Sequence, residues 1–314
     1  MHKIVTAMTL APSAHNTQPW LFKADTDSID IFVDWSRHLE VSDPSERQLY
    51  MSLGCAIENG VVAAHASGHQ VEVRYFPEGK DKNKPVARML LSNAALTEKP
   101  LADAISVRQT NRAIYDGKPL TSQEIQQIPT LTDSQVLSID DREKIKKIAS
   151  LTSEGTFTTL ARSDFKQELS LWVRSSMTKQ HDGMTGDAMG LPGPAAMLAP
   201  WLVKIAPIHK QEGPHAKKQV ESASLVVVIT TPTDTPEEYL KAGRMLERLW
   251  LEIAAAGLVA SVHMSAIESS AELRDRTKNM LQIDALPQAV VRIGHTKKRY
   301  RPTPRRTVEE CLKK

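Results

Sequence analysis

Cysteine is scarce in this 314-residue chain. Cys55 and Cys311 are the two present, and they form no CxxC pair. Their spacing therefore supports neither a zinc site nor a dithiol redox motif, and the simple expectation is one buried thiol and a second near the C-terminus. Aromatic residues make up 5%, too few for a base-stacking surface. Neither sign of charge dominates: 40 Lys and Arg face 37 Asp and Glu, for a net +3. That balance argues against nucleic acid or an acidic membrane surface as the main partner. No apolar run reaches the roughly 18 residues of a membrane span, and Met1–Ala11 is too short before Pro12 to read as a secretory leader. The expectation is a soluble, cytoplasmic protein. A Walker loop, a GxGxxG after a strand and a GxSxG elbow are all missing. No Ser/His/Asp triad follows from spacing. His65 and His69 have the i, i+4 spacing of a metal pair, but Gly68 is expected to end the helix between them, so no metal is expected.

Apolar residues reach 41%, enough for a sizeable core in one large domain or two ordinary ones. The segment Ala11-Pro12-Ser13-Ala14-His15-Asn16-Thr17-Gln18-Pro19-Trp20 fits no helical or strand period. Two prolines bracket a run rich in hydroxyls and amides, which leads into an apolar strand at Trp20-Leu21-Phe22. Loops of this kind hold flat polar ligands by reading their donors and acceptors.

An internal echo follows. Gly54 leads through Glu58 to Gly68, and Gly243 leads through Glu247 to Gly257, with the same spacing. Each segment reads as a buried helix closed by a glycine, followed by a β-like run at Val71–Phe76 or Leu258–Val262. The echo is either chance likeness between two buried helices or a duplication whose halves pack their central helices together, letting one chain imitate a symmetric dimer. Further strands are expected at Ile29–Val33, Val86–Leu91, Ser222–Thr231 (buried on both faces) and Ala289–Gly294, with a charged turn over Pro77–Pro85 and a capped helix start at Thr121–Glu124.

Arg108-Gln109-Thr110-Asn111-Arg112 sets two guanidinium groups four residues apart. Taken alone it is either a solvated patch or, if it opens a helix or turn, an anion clamp. Lys297–Arg301 and Arg305-Arg306 repeat the theme near the C-terminus, as a solvated basic tail or, stiffened by Pro302 and Pro304, a docked one. Between about 176 and 220, methionines sit among glycines and prolines. This texture reads as a mobile apolar flap rather than a regular layer, serving either as a plain crossover or as a lid over an apolar pocket.

Pro12-Ser13-x-x-Asn16-x-Gln18-Pro19-Trp20 resembles the PSxxNxQPW loop of the nitroreductase superfamily, and Arg108–Arg112 with Tyr115 and Leu120-Thr121 resembles its RxSxR segment. In most of that superfamily the second motif comes first. The reversed order is similar to that of the single-chain, duplicated branch typified by the mycobacterial Acg proteins. Asp34-x-Ser36-Arg37, Asp43-Pro44, Arg47, Glu168-Leu169-x-x-Trp172, Gly190-Leu191-Pro192, Pro287-Gln288, Arg292-x-Gly294 and Thr303-Pro304-Arg305-Arg306 extend the likeness over nearly the whole chain.

The resemblance implies an α+β, nitroreductase-like fold. A first, partial half would span 1–100 and a second half 101–314, the latter carrying the lid at about 176–220. It implies FMN as cofactor and NADH or NADPH as electron donor, with small nitroaromatic or quinone-like acceptors. Arg108, Gln109, Thr110 and Arg112 would contact the phosphate and the polar ring edge; Pro12, Ser13, Asn16 and Gln18 would approach from the side that a second subunit usually covers; Arg305 or Arg306 would reach the phosphate. No catalytic side chain is required, because the flavin carries the chemistry. A monomer would suffice if the chain is duplicated. The same branch also implies an alternative, a flavin-sequestering protein whose lid covers the ring and allows little turnover.

Overall fold

The computed structural model describes residues 1–94 and 98–313. In chain order the helices are α1 (His2–Thr9), α2 (Arg47–Ala66), α3 (Lys99–Val107), α4 (Ser122–Gln126), α5 (Arg142–Ala161), α6 (Ser163–Trp172), α7 (Gly193–Met197), α8 (Ala199–Ile205), α9 (His209–Glu221), α10 (Pro236–Ala255), α11 (Ser265–Glu268) and α12 (Ala271–Leu281). The strands are β1 (Trp20–Ala24), β2 (Ser28–Val33), β3 (His69–Tyr75), β4 (Ala87–Asn93), β5 (Val136–Ile139), β6 (Val173–Arg174), β7 (Met184–Thr185), β8 (Leu225–Thr231), β9 (Val259–His263) and β10 (Leu286–Gly294). Helices and largely antiparallel sheets thus give the α+β class expected. One sheet runs β1-β2-β4-β3 and a second runs β5-β8-β10-β9.

Between the two sheets lie α2 and α10, the helices of the sequence echo. Thr235 caps α10 by accepting a hydrogen bond from the Glu238 N–H, with Pro236, Glu237 and Glu238 in the first turn, all favourable at a positive helix end. Gly68 and Gly257 follow the two helix ends at φ +80° and +76°, backbone angles that a side chain resists. The leading glycines do different work. Both helices begin earlier than the echo, so Gly54 and Gly243 fall mid-helix at the point where the helices cross. A Cβ on Gly54 would lie 2.1 Å from the Leu240 carbonyl oxygen, and one on Gly243 would lie 2.0 Å from that of Met51. One apolar core runs from Trp20, Phe22, Ile31 and Met89 of the first sheet, through Ile57 and Leu249 on the two helices, to Val227 and Val291 of the second. All seven residues of β8 are buried. Val226 and Val228 face a second cluster with Ile145, Ile148 and Val220, which explains the unbroken apolar run in the sequence.

The interval 176–220 is more regular than its composition suggests. It carries β7, α7, α8 and most of α9. Pro194 and Pro200 stand in the first turns of α7 and α8, where a missing N–H costs nothing, so prolines read as breakers are helix starts. The strand expected from Ser222 begins at Leu225, because Ser222 caps the end of α9.

Candidate functional site

The loop after α1 owes its shape to strained backbone. His15, Asn16 and Gln18 have φ of 48°, 57° and 53°, a left-handed region that costs non-glycine residues about 1 kcal/mol or more and that clusters at binding sites. Hydrogen bonds hold it there. The Gln18 N–H donates to Ser13 Oγ at 2.9 Å, and the Ala14 N–H donates to Ser52 Oγ of α2 at 3.3 Å. Asn16 joins three distant segments: its amide donates to the carbonyls of Gly183 (2.8 Å) and Pro304 (2.9 Å), and its Oδ1 accepts from Arg305 at 2.9 Å.

Arg108–Arg112 forms neither helix nor turn. It follows α3 as an extended stretch beside β9, where Thr110 bridges Ala260 and the Asn111 N–H donates to the Ala260 carbonyl at 2.9 Å. Arg292 of β10 fixes the end of this stretch, donating to the carbonyls of Asn111 (2.8 Å) and Ala113 (2.9 Å) with its guanidinium 3.9 Å from the centre of the Tyr115 ring.

These segments enclose one cavity of about 110 Å³, lined by Pro12, Ser13, Asn16, Arg108, Gln109, Thr110, Arg112 and Arg305. Eight of the ten residues singled out in the sequence therefore meet in one place. Gln18 and Arg306 do not line it. They form the layer behind, where Gln18 Oε1 accepts from the Arg306 N–H at 2.8 Å and Arg306 donates to the Gln18 carbonyl at 3.0 Å. Of the two tail arginines, Arg305 lines the cavity and Arg306 does not. His15, Met184, Ala188, Arg301, Pro302 and Thr303 complete the lining. His15 sits inside the loop motif at a variable position, so only its unusual backbone, invisible in sequence, marks it. Met184 and Ala188 belong to the Met/Gly/Pro crossover.

A second chamber of about 180 Å³ shares Pro12, Ser13, Thr110 and Arg112 with the first. Its other walls are Met51, Ser52 and Cys55 of α2, Leu246 and Trp250 of α10, and Val262 and Met264. One chamber is cationic and the other mainly apolar.

The electrostatics favour an anion in the first chamber. Arg112 donates to the Ala188 carbonyl at 3.2 Å, and among the described residues no carboxylate pairs with it. Burial holds its pKa below the usual arginine value. Arg305 has no acidic partner within ion-pair distance among the described residues, its Nε has no acceptor, and burial with Arg108 alongside lowers its pKa to about 9. Guanidinium groups confined without counter-charges are destabilised until an anion arrives. His15 is held neutral, its pKa pushed down to about 4 by burial, and its Nδ1 has no partner.

No family model matches the chain. An uncharacterized protein of Mycobacterium tuberculosis H37Rv is 28% identical over 96% of this chain and 89% of its own. The acg protein of the same strain, provisionally named an NAD(P)H nitroreductase, is 26% identical over 96% of this chain and 92% of its own. Among solved structures, the FMN-dependent nitroreductase NfnB from Mycobacterium smegmatis, in complex with NADPH, aligns with 68% of this chain and 97% of its own at 13% identity and a TM-score of 0.44. In sequence, this chain is similar nearly end to end to the Acg-type nitroreductases, the branch to which its Pro12–Trp20 loop and its Arg108–Arg112 segment point.

Proposed function

We propose that this chain is an FMN-binding oxidoreductase of nitroreductase type, using NADH or NADPH to reduce small nitroaromatic or quinone-like acceptors. The observation that carries the reading is the union of a chamber holding under-neutralised arginines with an apolar chamber between α2 and α10. A phosphorylated flat ring system needs both. Arg108, Arg112 and Arg305 suit the phosphate, which takes bidentate guanidinium contacts. Pro12, Ser13 and Thr110 line both chambers and would orient the polar edge with Gln109 of the cationic one, while Met51, Leu246, Trp250 and Val262 exclude water from the ring. When bound, FMN would supply hydride transfer between donor and acceptor. A fixed guanidinium such as that of Arg112 stabilises negative charge developing nearby in a dry site. No side-chain acid is assigned, and His15, held neutral, serves as a hydrogen-bonding group.

The same reading treats α2 and α10 as the central helices of two pseudo-repeats, with halves 1–100 and 101–314, so that the chamber between them replaces the seam of a dimer. Their face-to-face crossing at Gly54 and Gly243 supports it.

One observation favours the second reading, flavin sequestration. The crossover is tied to the binding loop by reciprocal backbone and side-chain hydrogen bonds: the Gly183 N–H donates to the Asn16 carbonyl at 3.1 Å, Asn16 Nδ2 to the Gly183 carbonyl, and Gln18 Nε2 to the His181 carbonyl at 2.8 Å. A wall fastened in this way would leave little room for nicotinamide to stack.

Visible absorption of the purified protein, repeated anaerobically with NADPH, decides. A yellow protein that bleaches supports the oxidoreductase, and one that stays yellow supports sequestration. A colourless protein that FMN does not reconstitute overturns both. Replacing Arg108 and Arg112 together by alanine should abolish flavin retention, and undiminished retention would count against the site.

A further inference from the structure

Behind the cationic chamber, and not among its lining residues, Glu247 of α10 is fully enclosed. Its Oε1 lies 3.1 Å from Arg108 Nε, yet that N–H is not aimed at it, and neither carboxylate oxygen receives a hydrogen bond. Arg108 and Arg305 donate to the same Leu10 carbonyl, at 3.1 and 3.5 Å, which holds the two guanidinium groups side by side. The groups facing Glu247 from neighbouring elements are Arg108 at the end of α3, Arg305 of the tail, and Glu58 and Cys55 of α2. Glu58 is already paired with Arg244 at 2.9 Å and Arg248 at 2.7 Å. Glu247 is thus the one carboxylate facing both arginines, with Arg108 at ion-pair distance and Arg305 beyond it, and no N–H supports it.

A buried carboxylate stays ionised when several N–H groups donate to it. One with none, beside a misaligned guanidinium, lies near the balance between charged and neutral forms. Here burial raises the Glu247 pKa to about 7 despite Arg108 and Arg305. A phosphate entering the adjacent chamber brings like charge, which pushes that balance further toward the neutral acid.

We propose that Glu247 is the exchangeable counter-charge of the Arg108–Arg305 pair: it balances them when the chamber is empty and takes up one proton from solvent when a phosphate monoester binds. The inference rests on the reading of the chamber as the phosphate end of a flavin site. It makes capture of the phosphorylated ligand proton-coupled. Uptake of a proton on binding means that affinity weakens as pH rises through the free-state pKa. With a free-state value near 7 and a bound-state value well above it, FMN binds about fivefold more weakly at pH 8 than at pH 7. The second ionisation of the phosphate, near pH 6, acts in the opposite sense and is nearly complete by then.

Isothermal titration of the apoprotein with FMN at pH 7.5, in buffers of different ionisation enthalpy, reads the proton directly. About 0.8 proton should be taken up per FMN, and none with riboflavin, which lacks the phosphate. Glu247→Gln should bind FMN without uptake and with little change in affinity between pH 7 and 8. FMN binding without uptake by the parent, or the same uptake by Glu247→Gln, overturns the proposal while leaving the flavin site standing. If the variant does not fold, the contrast between FMN and riboflavin in the parent still decides. Failure of the parent to bind FMN at all removes both readings.

Discussion

Gly54→Ala tests whether the α2/α10 crossing is as close as described. The added methyl carbon would lie 2.1 Å from the Leu240 carbonyl oxygen and 2.9 Å from Gly243 Cα. Ordinary contact begins near 3.4 Å, so the helices must part by roughly 1 Å. Overpacked cores typically lose about 1–3 kcal/mol when side chains can yield. Here the obstacle is main chain on both sides, so the upper end applies, reduced by the roughly 1 kcal/mol by which alanine favours a helix over glycine. The net expectation is a loss of about 2 kcal/mol, or a Tm lower by about 3 °C for a chain of this size. Gly243→Ala should behave alike, since its methyl would meet the Met51 carbonyl at 2.0 Å. The double variant should cost less than the sum, because helices already separated accommodate the second methyl. Gly193→Ala is the control: nothing lies within 4 Å of the added carbon, so its Tm should be unchanged. Thermal unfolding followed by circular dichroism reads all four. If Gly54→Ala and Gly243→Ala both melt within 1 °C of the parent, the helices do not cross on those glycines. On the proposed function, FMN affinity offers a second readout, because Ser52, Cys55, Leu246 and Trp250 move with the helices.

Three other perturbations have defined outcomes. His263 accepts from Arg292 Nε at 3.0 Å, and burial with that cation lowers its pKa to about 3. Its unfolded value is about 6.5, so its contribution is complete above pH 6.5 and is lost as pH falls toward 3. Denaturant titration should show His263→Asn narrowing the stability difference between pH 7 and pH 4.5 by up to about 2.5 kcal/mol, and an unaltered difference refutes the assignment. Asn16→Ala removes the bonds to Gly183, Pro304 and Arg305, so limited proteolysis should cut faster between 176 and 192, with equal rates counting against Asn16 as the tie. Thr121 and Glu124 form a reciprocal capping box at the start of α4, and Thr121→Ala should cost about 1 kcal/mol, measurable by denaturant midpoint.

Much of this architecture was legible because the signals were local. Alternation marked β2, and an unbroken β-branched run marked β8. The paired glycines located α2 and α10, although sequence could not say that Gly54 and Gly243 serve a helix crossing rather than a helix start. The cavity was legible for another reason: arginines, hydroxyls and amides placed without a hydrophobic period have few roles in a core, and eight of the ten named residues line it. What remained hidden was long-range. Gln18 and Arg306 satisfy one another across almost the whole chain, a pairing that no local pattern records. Arg112 is flanked by contacts from Arg292 to the Asn111 and Ala113 carbonyls, a role that neither its Arg-x-Gly motif nor its place in an apolar strand records. The helices after Gly193 were obscured because proline signals both the end and the beginning of a helix, and only neighbouring geometry distinguishes the two.

The position of Asn16 has a thermodynamic consequence. It fastens the crossover and the tail to one short loop, so a ligand in the chamber touches all three strands of that knot together. At one hundred times its dissociation constant a ligand adds about 2.7 kcal/mol to the stability of the state that binds it. That gain cannot be confined to one segment. Hydrogen exchange in the 181–188 stretch and around Thr303–Arg306 should slow in parallel on ligand addition, as one cooperative unit drawn from opposite ends of the polypeptide.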